Sequence, residues 1–400
     1  MHNWTVGRLG DVAELKMGQS PSSEYVSESA DKESLPFLQG NADFGSQAPQ
    51  ARFHCSRPLR KSKAGDILIS VRAPVGEINR SDQAYCIGRG LAAVRFTGID
   101  PKFGWHVLAH AASGLYSLAQ GSTFAAIGRQ ELGSLVIGVP PPQEQRKIAE
   151  VLDTADEAIR STERLIVKIK MRNAGLLRLL ATRGMCNSSA LRSSQFGEIP
   201  AHWTIRSCEE VCRQIVVGIV IRPTQYYRST GIPILRSANV LETGIELTDL
   251  KFMSLDDHRL MSKSAVSPGD VVTVRTGTPG TSAVVPVGLS VANCVDVIIS
   301  RPNRAVIDPN FLAAWINSEF GKGQVLAKQG GLAQQHFNVG HMRNLLVATP
   351  PLDEQKEIAG VVATQQKQLQ LEYEELAKLR KIKEGLMGDL LTGRIRVRVD

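Results

Sequence analysis

Apolar positions from Ile148 to Leu180 recur in alternating steps of four and three: Ile148, Leu152, Ala155, Ile159, Thr162, Ile166, Ile169, Asn173, Leu176 and Leu180. The same rhythm runs through Ile358, Val362, Gln365, Leu369, Glu372, Leu376, Leu379, Lys383, Leu386 and Leu390. A mean step of about 3.5 residues predicts a helix whose single apolar seam lies against another helix, sustained here for roughly five heptads in each stretch. An amphipathic helix can also bury its seam on its own domain. Two equal seams with one strict period make each other the expected partners. Each seam turns polar at the same two places, Thr162 with Glu372 and Asn173 with Lys383, and polar seam residues fix register at some cost in stability. At about 1.5 Å per residue, helices of roughly 38 residues are near 57 Å long.

Outside these stretches the pattern shortens. Asp66 to Val71, Leu91 to Phe96, Val271 to Arg275 and Val295 to Ile299 are brief runs rich in Val, Ile or Leu and bounded by Gly, Pro, Asn or Asp, which predicts strands. Phe103 to Ala119 and Pro309 to Leu326 read as helices, and the Ser, Gly and Asn-rich stretch Ala181 to Ala201 reads as an exposed connector. The expected fold class is α/β: two similar mixed α/β domains joined by two long antiparallel helices that form a coiled coil, with a pseudo-twofold internal repeat. The expected boundaries are 1–140 for the first domain, 141–183 for the first long helix, 184–202 for the connector, 203–348 for the second domain and 349–400 for the second long helix.

That repeat is visible residue by residue. Trp4-Thr5-Val6 returns as Trp203-Thr204-Ile205, Leu35-Pro36-Phe37-Leu38 as Ile232-Pro233-Ile234-Leu235, and Gly65-Asp66-Ile67-Leu68 as Gly269-Asp270-Val271-Val272. Each Gly-Asp leads through an apolar run to an arginine, Arg72 or Arg275. The clearest copy is Pro140-Pro141-Pro142-Gln143-Glu144-Gln145, restated as Pro350-Pro351-Leu352-Asp353-Glu354-Gln355 at the start of each long helix. Proline stops the preceding chain and tolerates the first helical turn, while Glu144, Asp353 and Glu354 place negative charge at the positive helix end.

Composition narrows the class of partner. The 400 residues carry 47 Lys plus Arg against 39 Asp plus Glu, a formal net charge of +8, which attracts polyanions such as nucleic acid or anionic lipid. The longest apolar stretch, Ile215 to Ile221, is far below the roughly 18 residues of a membrane span, and the N-terminus has no basic segment followed by an apolar core, so a cytoplasmic chain without a membrane anchor is expected. Six scattered cysteines in a chain of this length argue against a disulfide framework.

Candidate contact residues are basic or amide-bearing. Arg52, His54, Arg57, Arg60, Lys61 and Lys63 precede the first Gly-Asp strand, and Lys251, His258, Arg259 and Lys263 the second; such runs neutralise phosphates or simply form solvated faces. The segments from Gln120 to Phe124, with Ser122 and Thr123, and from Gln329 to Asn338, with Gln334, Gln335 and Asn338, occupy matching places. Glycine there allows close backbone approach, and Gln or Asn can pair bidentately with adenine. The same segments could equally be tight turns packed on a sheet. Arg72 and Arg275 are the expected phosphate anchors and the amides the base readers.

No G-x-x-x-x-G-K-[ST] loop, G-x-G-x-x-G turn, H-E-x-x-H or G-x-S-x-G elbow occurs. His202, Cys208 and Cys212 lack a fourth zinc ligand, and Asp66 and Asp270 read as turn residues rather than catalytic acids. No cofactor or metal is expected.

With its duplicated Pro-Pro-x-x-Glu-Gln helix starts, its Gly-Asp-(Ile/Val) strands, Gly197-Glu198-Ile199-Pro200 leading to Trp203, and Leu390-Leu391-Thr392-Gly393, the chain resembles the specificity subunit of type I restriction-modification systems over essentially its whole length. The first repeat departs from the pattern in ending Leu180-Ala181-Thr182-Arg183-Gly184, and Pro142 stands where the second copy has Leu352. The resemblance implies a non-catalytic DNA reader: two target-recognition domains each read half of an asymmetric bipartite site in double-stranded DNA. The helices would set the gap and dock two methyltransferase subunits, with adenine methylation, and ATP-driven translocation with cleavage by restriction subunits, belonging to partners. A helix pair near 57 Å would hold the recognition centres no more than roughly 17 base pairs apart. An architectural DNA-bridging protein and an unrecognised nuclease are the alternatives that the residues alone leave open.

Overall fold

Ile67, Leu68, Ile69 and Ser70 are all buried, and their alternation decides how the first half of the chain is layered. Ile67 and Ile69 face one core with Val94, Phe103, Ile148 and Leu390, while Leu68 faces another with Leu38, Ile87 and Ala93. A strand covered on both faces reads as a continuous apolar run, which is what this sequence shows. A computed structural model describes residues 4–31, 33–45, 48–119, 126–185, 190–289, 291–327 and 337–398. The chain divides into two units, Met1–Ser161 with Leu376–Asp400, and Thr162–Glu375.

In the first unit the strand Ile67–Ser70 sits inside an antiparallel four-stranded sheet, between Leu91–Phe96 and Ile78–Arg80, with Ala13–Met17 on the far side of Leu91–Phe96. A second four-stranded sheet contains one parallel pairing, Leu35–Leu38 with Cys86–Ile87. The second unit repeats both. Val271–Val274 lies between Val297–Pro302 and Ser282–Val284, with Cys212–Val217 beyond Val297–Pro302. Ile232–Leu235 runs parallel to Ala292–Cys294. Each unit also closes an antiparallel two-stranded ribbon just ahead of its long helix, Thr5–Arg8 with Val136–Val139 and Thr204–Ser207 with Leu346–Thr349.

The long helices are Pro142–Arg183 and Leu352–Leu390. Each unit holds part of both, and in each the two run antiparallel. In the first, Lys383 meets Asp156 and Leu390 shares a core with Ile148 and Leu152. In the second, Lys170 lies over the Tyr373 ring at 5.3 Å and Asn173 faces the Gln365 carbonyl at 3.4 Å.

Three local expectations are corrected. The helix expected over Pro309 to Leu326 is two, Pro309–Asn317 and Glu319–Ala327. Ser318 is extended between them; its hydroxyl donates to the Trp315 carbonyl at 2.6 Å and accepts from the Gly321 N–H at 3.4 Å, ending one helix and capping the next. The strand expected at Val295 to Ile299 runs instead over Val297–Pro302, because Asp296 adopts φ 52° and breaks the pairing. Within the expected connector, Leu191–Ser194 and Gly197–Pro200 form a hairpin around Phe196, whose ring packs edge-on against Trp315 at 5.1 Å. Among the described residues no helix is long and apolar enough to cross a membrane.

Candidate nucleic-acid interface

The strand that follows each Gly-Asp has a distinct chemistry at either end. At its start Gly65 and Gly269 take φ 88° and 90°, which favours glycine. Asp66 then accepts the Lys63 N–H at 2.8 Å, and Asp270 the Ser267 N–H at 2.9 Å, closing each turn. From the adjacent strand Arg95 grips Asp66 with Nε at 2.7 Å and Nη2 at 2.5 Å. Arg301, its counterpart, stands 3.8 Å from Asp270. Burial raises the Asp270 carboxyl above its usual range, opposed by the Ser267 N–H and by Arg301 and Arg304. Both aspartates are thus structural turn closers with arginine partners. Arg60, Lys61 and Lys63 are exposed at this end.

Arg72 and Arg275 occupy the opposite end. Arg72 is exposed and bridges Ala126, immediately after the segment that contains Ser122 and Thr123. Arg275 takes the same place in the second unit, but its side chain is only 16% exposed. Its Nε donates to the Phe337 carbonyl and its Nη1 to Asp296, each at 3.2 Å, and Thr276 donates to the other oxygen of Asp296 at 2.5 Å. The structure therefore brings each strand-end arginine beside the chain leaving its Gly-rich segment, and within the first unit it places Arg72 at the other end of the strand from Arg60, Lys61 and Lys63. Ser122, Thr123, Gln334 and Gln335 lie outside the described residues. Asn338 caps the helix Val339–Arg343, its Oδ1 accepting the His341 N–H at 2.9 Å, so a bidentate contact with adenine would require giving up that cap.

The Pro-Pro-x-x-Glu-Gln motif gains a physical explanation. Trp4 Nε1 donates to Glu144 at 3.2 Å, and Trp203 Nε1 donates to Glu354 at 3.1 Å, so each glutamate ties its unit's opening strand to the start of a long helix. The glutamines work alike. Gln145 accepts the Asp100 N–H at 2.7 Å and donates to the Pro140 carbonyl; Gln355 accepts the Asp308 N–H at 2.8 Å and donates to the carbonyls of Val306 and Pro350. In the first unit Arg396 adds a two-pronged contact to buried Glu144, at 2.5 and 2.6 Å.

All seam positions are buried or half-buried: Ile148, Leu152, Ile159, Ile166, Ile169, Leu176 and Leu180 on one helix, and Ile358, Val362, Leu369, Leu376, Leu379, Leu386 and Leu390 on the other. Neighbours such as Val167, Met171 and Leu371 are exposed. The seam also serves the globular cores at the helix ends, where Ile148 and Leu152 pack with Leu9 and Phe103, and Leu180 and Ile358 with Trp203 and Phe311.

One cluster escaped the sequence reading. His106, on the helix Pro101–Ala119, is fully buried with Nε2 2.9 Å from Asp153. Among the described residues its Nδ1 finds no hydrogen-bond partner, and it stands 4.0 Å from Asp156, whose charge Lys383 takes up. Burial lowers the imidazole pKa against the pull of Asp153 and Asp156. Burial would raise Asp153, yet hydrogen bonds from His106 and Lys102 hold it low. Only Lys383, as a charged seam residue, signalled anything here.

Residues 1–171 match the family described as type I restriction modification DNA specificity domain. A putative type I restriction enzyme MjaX specificity subunit from Methanocaldococcus jannaschii is 37% identical over 185 residues, covering 45% of this chain and 43% of that protein. The match thus spans less than half the length of that relative. The MjaVIII specificity subunit of the same organism is 24% identical over 292 residues, 71% of this chain and 68% of the relative. Among solved structures, the type I restriction-modification system S subunit from M. genitalium superposes with TM-score 0.58 at 15% identity, covering 98% of this chain and 96% of that one. At that identity the likeness is one of fold.

Proposed function

We propose that this chain, whose residues 1–171 match the type I restriction modification DNA specificity domain, is a DNA sequence-specificity subunit of that family that reads an asymmetric, bipartite site in double-stranded DNA. One observation carries this reading. Two units of the same topology each place an arginine at the end of the same strand, beside the chain that leaves a Gly-rich segment, and those segments differ in sequence. Like surfaces with unlike side chains suit two unlike half-sites, much as a symmetric dimer suits a palindrome. Phosphate anchoring falls to Arg72, Arg275, Arg60, Lys61 and Lys63, and base reading to Ser122, Thr123, Gln334 and Gln335, with Asn338 contributing its side-chain amide N–H.

In this reading the chain works in the cytoplasm and performs no chemistry itself. Two methyltransferase subunits dock on the long helices, and adenine methylation belongs to them, as translocation and cleavage belong to restriction subunits. The helix pair fixes the gap between half-sites. The deciding experiment is co-expression with a methyltransferase partner followed by methylation mapping. A bipartite methylated motif that appears only with this chain is the expected result. Retention of the motif when the chain is omitted would overturn the reading, and metal-dependent cleavage by the isolated chain would favour a nuclease.

A further inference from the structure

The start of the Val271–Val274 strand carries more positive charge than the turn needs. Arg213, Arg301 and Arg304 converge with Asp270 on an open cleft of about 600 Å³. Arg301 is occupied: it contacts the Gln214 side chain, donates to the Ala265 carbonyl at 2.9 Å and lies 3.8 Å from Asp270. Arg213 and Arg304 are exposed. Arg304 is laid across the turn by a donation to the Pro268 carbonyl at 2.6 Å, in space that exists because residue 269 is glycine; a Cβ there would collide with the Arg304 guanidinium. One buried carboxylate among three guanidinium groups leaves an excess of two positive charges. The first unit places exposed Lys61 and Lys63 at the matching turn, while Arg95 is closed on Asp66. Exposed positive charge at this turn therefore recurs in both units through different residues.

We propose that the Arg213 and Arg304 cleft holds a backbone phosphate of duplex DNA, as a second contact surface at the opposite end of the sheet from Arg275. The inference rests on the DNA-reading function proposed above and adds to it a contact that carries no sequence information. Guanidinium forks suit a phosphodiester because they present paired donors to two of its oxygens. Arg301, fixed by its internal partners, positions Asp270 and screens it from the bound anion.

Salt dependence is the discriminating readout. Each neutralised phosphate contributes about 0.9 to the slope of log affinity against log salt concentration. With the full-length chain and a random-sequence duplex followed by fluorescence anisotropy, the Arg213→Ala/Arg304→Ala variant is expected to lose about 0.9 from that slope. The ratio of affinities at 50 and 200 mM salt then narrows by about 3.5-fold. Arg213→Lys/Arg304→Lys should keep the slope, because it keeps the charges, which a purely structural role for Arg304 would not predict. A matching thermal midpoint for all three proteins shows that the fold is intact; a variant that unfolds is replaced by Arg213→Ala alone, with about half the effect. An unchanged slope in the folded alanine variant overturns the proposal, and so does an unchanged slope with loss of a co-purifying protein partner, which would assign the cleft to an acidic protein surface. Absence of DNA binding by the unaltered chain at any salt would instead count against the DNA-reading function itself.

Discussion

Lys383 Nζ lies 2.5 Å from Asp156 Oδ1, joining the two long helices within the first unit at one of the positions where the second seam turns polar. Both side chains are under a quarter exposed, at 22% and 17%, so solvent screens the pair less than a surface bridge. Lys383→Met should cost about 1–3 kcal/mol, because it leaves Asp156 unpaired beside Asp153. Adding Asp156→Asn should restore most of the loss. The denaturant midpoints of the two single variants and the double variant test this; additive losses would show that the residues do not act as a pair.

Acid should loosen the same region. His106 has a depressed folded pKa because burial disfavours its charged form, so the unfolded chain binds protons more readily there. Its contribution to stability is complete above the ordinary imidazole value of about 6.5 and is lost progressively as pH falls below it. Asp153, also held low, adds a loss in the same direction at more acidic pH, below about 3.9. The groups facing His106 are Asp153 and Asp156 from the first long helix and Lys383 from the second, with Lys102 on its own helix reaching Asp153. Thermal midpoints of the unaltered chain should fall between about pH 7 and pH 5, and His106→Gln should flatten that profile. Equal slopes in both proteins would remove His106 as the cause.

The two motif glutamines make an ordered prediction. Gln355→Ala leaves the Asp308 N–H and the carbonyls of Val306 and Pro350 without their partner, whereas Gln145→Ala strands only the Asp100 N–H and the Pro140 carbonyl. Buried unsatisfied groups cost about 1–3 kcal/mol each before water or relaxation recovers part of it. Gln355→Ala is expected to lose about 2–4 kcal/mol and Gln145→Ala less. The reverse order in denaturant unfolding would contradict this hydrogen-bond account.

Arg72 and Arg275, equivalent in position, should part company under substitution. Arg72 is exposed, so Arg72→Ala should weaken DNA binding while the thermal midpoint stays put. Arg275→Ala releases Asp296, which sits at positive φ and accepts from both Arg275 and Thr276. It should therefore lower stability as well as affinity. A pair of melting curves with a binding titration at moderate salt separates the two effects, and unchanged affinity in either variant removes that arginine from the contact set.

Which of these features could be read in advance follows from their range along the chain. The long helices and their seam are periodic in sequence, and the Trp to Glu tie of each unit joins two motifs that the repeat already displays. The turn at Gly65-Asp66 is local, and its residues announce it. His106 lay beyond reach because its partners come from two other helices, and no spacing encodes that meeting. The break at Ser318 is hidden because the apolar positions Ile316 and Phe320 keep helical spacing across it, while the serine side chain ends one helix and starts another. The hairpin around Phe196 reads as a connector because most of its residues are polar or exposed, and only Ile199 and Pro200 of its strands are buried.

The seam itself gives the most direct test of how the protein would measure DNA. In both units the helices run antiparallel, and the polar seam residues Asn173 and Lys383 each meet a partner on the other helix. Removing seven residues from the middle of each helix keeps every remaining seam position facing inward, because a heptad returns the pattern to the same face. It shortens the rod by about 10.5 Å, close to three base steps of duplex DNA. Methylation mapping with the shortened chain should show a gap between half-sites reduced by about three base pairs, with both half-site sequences retained. Removing four residues instead turns the seam away from its partner and should cost folding rather than change the gap. If the heptad deletion folds and methylates at the original spacing, the helices do not set the distance.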